Sequence, residues 1–154
     1  MKIFAPLSGI VHDLTEVPDP VISQNMLGPG LAIAPDDEKQ VATSPIAGTV
    51  TNVRDHAVVF QSGATVLVHV GIDTFSLTEG LRPRVSTGSS VIVGTPVIEV
   101  DVPVVAASRN PVTTVTVLGG HKGKFTPVRV SGDRVERGDL LGEYALDEPP
   151  PQGG

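Results

Sequence analysis

Apolar residues in this chain fall into short runs and alternations rather than at helical spacing. Ala57-Val58-Val59-Phe60-Gln61 and Thr65-Val66-Leu67-Val68-His69-Val70 are both rich in β-branched residues, and Ser62-Gly63 between them supplies a positive-φ turn. The pattern predicts a β-hairpin with strands over 57–61 and 65–70. Pairing about that turn sets the start of the first strand opposite the end of the second. His56 and His69, 13 residues apart in sequence, therefore meet at one end of the hairpin.

Two internal repeats extend the strand pattern over the chain. Ala5-Pro6-Leu7-Ser8-Gly9-Ile10-Val11 recurs 39 positions later as Ser44-Pro45-Ile46-Ala47-Gly48-Thr49-Val50. Gly88-Ser89-Ser90-Val91-Ile92-Val93-Gly94 recurs 44 positions later as Gly132-Asp133-Arg134-Val135-Glu136-Arg137-Gly138. The Gly-x-x-Val-x-x-Gly units resemble the hairpins of biotinyl and lipoyl carrier domains, but the Lys that such a carrier would present between its strands is missing. Duplication of this kind predicts an all-β, barrel-like sandwich of two equivalent halves sharing one core, with short helical turns only.

The longest interruption runs from Val17 to Ile33. Asp19 is placed to cap a helical turn with Pro20 at its first position, and Gly28 to Gly30 to end it. Helical spacing would put Val21, Ile22, Met26 and Leu27 on one buried face. Pro35 to Lys39 reads as a solvated charged turn and Gly119 to Lys124 as a flexible loop. His12 and His121 carry no flanking motif or evident partner and are expected on the surface. Residues 147–154, Asp-Glu-Pro-Pro-Pro-Gln-Gly-Gly, are expected to be a disordered tail, leaving one domain over 1–146.

Composition narrows the picture. With 40% hydrophobic but only 3% aromatic residues and no Trp, the core must be built from Val, Ile, Leu and Ala, which favours strands. Seventeen Gly and 14 Pro without a short period point to many tight turns. A net charge of −6 argues against nucleic acid as a partner. No Cys is present, which excludes disulfides and thiolate chemistry. No leader-like or membrane-spanning apolar run occurs, so a cytoplasmic protein without membrane insertion is expected.

A lone histidine in an apolar strand is usually a packed core residue. Two facing ones are different, since each neutral ring offers a lone pair and an N–H, suited to a nucleophile with a phosphate clamp or to metal ligation. Gly71 permits close backbone approach, and Asp73 lies near enough in sequence to orient a ring. Val68-His69-Val70-Gly71-Ile72-Asp73-Thr74, with Asp55-His56-Ala57 upstream, resembles the signature of the glucose-type enzyme IIA of the bacterial sugar phosphotransferase system, and the similarity runs from about Ile3 to Tyr144. The resemblance implies that His69 takes a phosphoryl group from phospho-HPr and passes it to a cysteine of enzyme IIB, with His56 steadying the phosphate. It also implies partner docking through Asp19, Val21, Ile22, Leu27 and Phe75.

The match departs from the family in three places. The loop before His56 is shorter and lacks the family's hydroxyl residue, so Arg54 is expected to reach the phosphate in its place. There is no long N-terminal extension, and the region around His121 is atypical. No cofactor is implied, and no metal is expected in isolation, because His56 and His69 would need a partner's carboxylate to complete a zinc site. A regulatory binding module of the same fold and a lysostaphin-like zinc hydrolase are the alternatives; the latter needs a His-x-His pair that the sequence lacks. The transported sugar is not legible.

Overall fold

The computed structural model describes residues 1–146, so the expected tail over 147–154 lies outside the described residues. The first strands are β1 (Lys2–Phe4), β2 (Gly9–His12), β3 (Gly30–Pro35), β4 (Lys39–Thr43), β5 (Gly48–Val53), β6 (Ala57–Ser62) and β7 (Ala64–Val70). They are followed by β8 (Leu81–Pro83), β9 (Ser90–Val91), β10 (Pro96–Asp101), β11 (Thr113–Val117), β12 (Gly123–Pro127), β13 (Arg134–Val135) and β14 (Leu140–Leu146). Two helices, α1 (Pro20–Ser23) and α2 (Val102–Ala106), and three single 3-10 turns interrupt them. The architecture is the all-β sandwich that the strand pattern predicts.

An eight-stranded antiparallel sheet in the order β13-β2-β3-β11-β7-β6-β5-β9 packs with two three-stranded sheets, β1-β14-β12 and β4-β10-β8. The sequence repeats map onto this layout. β1 and β2 have counterparts 39 positions on in β4 and β5, and β8, β9 and β10 have counterparts 44 positions on in β12, β13 and β14. Accordingly β10 lies between β4 and β8 just as β14 lies between β1 and β12. The repeats also exchange edges, with β2 closed by the late strand β13 and β5 by β9.

The main core is aliphatic apart from two rings. Ile3, Leu7, Val11, Ile33, Ile46, Val50, Ile98 and Leu141 surround Phe60, and Tyr144 closes one side with its hydroxyl bonded to the Gly120 carbonyl at 3.1 Å. Alternation along β7 directs Val66, Val68 and Val70 inward and leaves Leu67 and His69 on the opposite face. That second face has a cover of its own. Ala32, Thr114 and His69 are cross-strand neighbours there, and Leu14, Val17, Ile22 and Val112 pack with Ala32 into a smaller apolar cluster joined by Leu27 and Ile72.

Three expectations need correction. α1 is the single capped turn expected, but Asn25, at φ 58°, ends it before Met26, and Gly28 to Gly30 play no part in that. The helical spacing therefore does not carry through. Ile22 is buried and Leu27 half-buried, whereas Val21 and Met26 are 43% and 63% exposed. The segment from Gly119 is a 3-10 turn feeding β12, whose Phe125 packs on the core, rather than a free loop. His12 and His121 do have partners, Glu16 at 2.9 Å and the Asn25 carbonyl at 2.6 Å.

Candidate functional site: a histidine pair at a hairpin end

β6 and β7 pair in the register Ala57↔His69 through Ser62↔Ala64, with Gly63 turning the chain at φ 74°. Continued strictly, this register would set His56 opposite Val70 and aim its side chain into the core. The chain instead bends at Asp55 and His56, just before β6. The His56 carbonyl still accepts from the Val70 N–H at 2.7 Å, while its ring turns to the other face. The imidazoles meet edge to face, with centroids 5.0 Å apart and planes at 83°.

Both rings are held towards the neutral form. Burial lowers the His69 pKa from its ordinary value of 6.5, opposed by the Gly71 backbone and by the Asp19 carboxylate. Burial also lowers that of His56, assisted by His69 and Arg54 and opposed by Asp55. His69 is half-buried, and its Nδ1 is buried and closes no hydrogen bond of normal geometry. Nε2 is thus the nitrogen turned towards solvent.

The segment after His69 is tied down in detail. Gly71, at φ 76°, donates to the Val112 carbonyl and Ile72 to the Asn110 carbonyl, each at 2.9 Å, and the Thr74 hydroxyl donates to the Val70 carbonyl at 2.5 Å. Arg109 braces this loop from outside, its Nε reaching the Asp73 carbonyl at 2.9 Å and its Nη2 the Ser76 hydroxyl at 3.3 Å. Sequence reasoning gave Arg109 no role, because it stands in no motif and acts across 36 residues. Asp73 contributes its left-handed backbone, φ 56°, and this carbonyl; its carboxylate is not among the charges that act on either ring. The carboxylate felt at His69 is Asp19, which also caps α1 by accepting from the Val21 N–H at 3.0 Å.

Val21, next to the Asp19 cap, and Phe75, in the loop after His69, present apolar side chains to solvent, the latter 74% exposed; Met26 is also exposed, but its neighbour Leu27 bonds Gly119 towards the other end of β7, and Ile22 and Leu27 belong to the packed layer beneath. Arg54 is exposed and donates to the Val53 carbonyl at 3.2 Å. Among the described residues no three His, Asp or Glu side chains converge as a ligand set, which a zinc hydrolase would require. A surface groove of about 420 Å³ lined by Lys39, Glu79, Arg82, Glu99 and Asp101 touches neither histidine.

Residues 1–122 match the family model described as phosphoenolpyruvate-dependent sugar phosphotransferase system, EIIA 1. The chain belongs to the glucose-type enzyme IIA family. Within it, the chain is 36% identical over 121 residues to the glucose-specific EIIA component of Halalkalibacterium halodurans, covering 75% of this chain and 69% of that protein. It is 42% identical over 103 residues to that of Staphylococcus aureus, covering 64% of this chain and 61% of that protein. The fold is similar to glucose permease IIA from Mycoplasma capricolum, with a TM-score of 0.77 and 31% identity over 92% of this chain and 94% of that one. As an enzyme IIA it shows no helix, among its described residues, that is long and apolar enough to cross a membrane.

Proposed function

We propose that residues 1–146 act as one phosphotransfer domain in which His69 accepts a phosphoryl group from phospho-HPr and donates it to a cysteine of enzyme IIB. The supporting observation is the edge-to-face histidine pair at the hairpin end, with Nδ1 of His69 buried and Nε2 outward. The Nε2 lone pair attacks phosphorus while the donor P–N bond breaks and its electron pair stays on the donor nitrogen. No proton need leave His69, so the domain's work is positioning and charge stabilisation. His56 lies where its ring can hold the phosphate oxygens, and exposed Arg54 adds positive charge beside it. Val21 and Phe75 give partners a dry rim that shields the N–P bond. Such a carrier works in the cytoplasm, where it meets HPr.

Incubation with enzyme I, HPr and phosphoenolpyruvate tests this. Wild-type protein gains one phosphate on His69, and His69→Ala gains none. His56→Gln keeps a donor of similar reach and still accepts phosphate, but passes it to enzyme IIB more slowly, since the imidazole that stabilises charge in that step is lost. Phosphate retained in His69→Ala and lost in His56→Gln would reverse the two roles.

A further inference from the structure

The β7–β11 ladder ends at Val70, paired with Thr113, but the chain is held well beyond it. Gly71 and Ile72 donate to the carbonyls of Val112 and Asn110, each at 2.9 Å, and there the backbone pairing stops. Asp73 turns into a left-handed conformation at φ 56°, which a residue with a side chain keeps only when its surroundings hold it. A side chain supplies the next rung. Arg109 Nε donates to the Asp73 carbonyl at 2.9 Å and Nη2 to the Ser76 hydroxyl at 3.3 Å, while Nη1 is anchored on the Ser108 carbonyl at 3.0 Å. All three acceptors are neutral oxygens, and among the described residues Arg109 makes no ion pair, not even with the carboxylate of the Asp73 whose carbonyl it holds. A planar guanidinium spread over two residues of one loop fixes direction as well as distance.

Gly71 lies between the end of the ladder and this clamp. Its backbone is the part of the loop that acts on the His69 ring, favouring the protonated form while falling short of normal hydrogen-bond geometry. Hydrogen bonds weaken steeply with angle, so a contact at the edge of good geometry depends on where the loop is held. We propose that Arg109 is a positioning residue for phosphoryl transfer, clamping Asp73 and Ser76 so that the Gly71 backbone keeps the proton of His69 on Nδ1 and leaves Nε2 aimed outward. This rests on the assignment of His69 as the phosphoryl acceptor. A proton kept on Nδ1 leaves the Nε2 lone pair free for attack. As the N–P bond forms the ring gains positive charge, so an acceptor already in place at Nδ1–H counts for more in the transition state than in the ground state. A loop free to swing gives up that alignment, and part of the rate with it.

Ring ¹⁵N NMR of the whole chain reads the tautomers of His69 and His56 in the folded protein, without any partner protein. Arg109→Ala removes the clamp, and Arg109→Lys keeps the charge and stem but cannot span Asp73 and Ser76. In both variants the ratio of Nδ1–H to Nε2–H tautomer at His69 should fall about threefold or more, part of the worth of one hydrogen bond, while the ratio at His56 stays as in the wild type. Phosphate uptake at saturating phospho-HPr should slow about tenfold at unchanged KM. A wild-type tautomer ratio at His69 in either variant, or a change shared equally by His56, would overturn the proposal. So would a loss confined to KM, which would make Arg109 a docking residue. Tautomer shifts as expected in a protein whose wild type takes up no phosphate would instead overturn the transfer assignment.

Discussion

Replacing Gly71 by Ala separates two costs that glycine avoids. Gly71 and Gly63 have nearly the same left-handed backbone, φ 76° and 74°. They differ in surroundings, because a Cβ built on Gly63 meets nothing within 4 Å, whereas one on Gly71 would overlap the Thr74 Cγ2 and lie 3.1 Å from the Asn110 carbonyl oxygen. Thr74 cannot swing aside freely, since it is buried and its hydroxyl is committed to the Val70 carbonyl. Gly63→Ala should therefore cost about 1–2 kcal/mol for the backbone alone. Gly71→Ala should add overpacking of about 1–3 kcal/mol, for a total of about 2–5 kcal/mol. Urea unfolding followed by circular dichroism measures both, and the difference should lower the Gly71→Ala midpoint by roughly 0.5–2 M relative to Gly63→Ala. Losses that agree within about 0.5 kcal/mol would refute the packing argument and leave only the shared backbone term.

Other outcomes follow from the site. Because the native pKa values of His56 and His69 lie below 6.5, the unfolded chain binds more protons as pH falls past that value; stability contributed by the neutral rings is full above 6.5 and declines towards the lower native values, and phosphate uptake should persist below 6.5 in a pH-rate profile. Phe75→Ala, at an exposed position, should leave stability within about 0.5 kcal/mol and raise KM for phospho-HPr about fivefold or more, whereas Ile22→Ala should cost about 2–5 kcal/mol in denaturant unfolding. Arg109→Ala should cost about 0.5–1.5 kcal/mol per bond lost and speed hydrogen exchange at the Leu77 N–H, which bonds the Thr74 carbonyl at the end of the braced loop.

The hairpin, the duplicated strands and the meeting of His56 with His69 were legible in the sequence because they depend on local signals: a Ser-Gly turn, alternating β-branched residues and repeated Gly-Val spacings. Features that depend on one residue's departure from a pattern were not. Asp19 could be read as a cap, but its effect on His69 requires knowing that α1 folds back over the second sheet face. Val21 and Met26 fit a helical stripe until a left-handed Asn25 ends the turn, and no propensity forces that residue into that conformation. Arg109 is an ordinary residue in an ordinary context. Only the return of the chain past Asp73 gives it the loop that it braces.

The exchange of edges between repeats also sets an order of events during synthesis. β1 and β2 are made before the other strands of this domain, carrying Ile3 and Val11, yet β1 pairs with β14 and one side of β2 with β13, both at the far end of the described chain. Until Val135 and Leu141 emerge, those apolar side chains have no native cover from that side. The first repeat cannot complete its sheets alone, and closing contacts over so long a separation is entropically slow. Nascent chains stalled before residue 134 should therefore be held unfinished and be open to chaperones and proteases, while the same chain extended through residue 146 closes both sheets together.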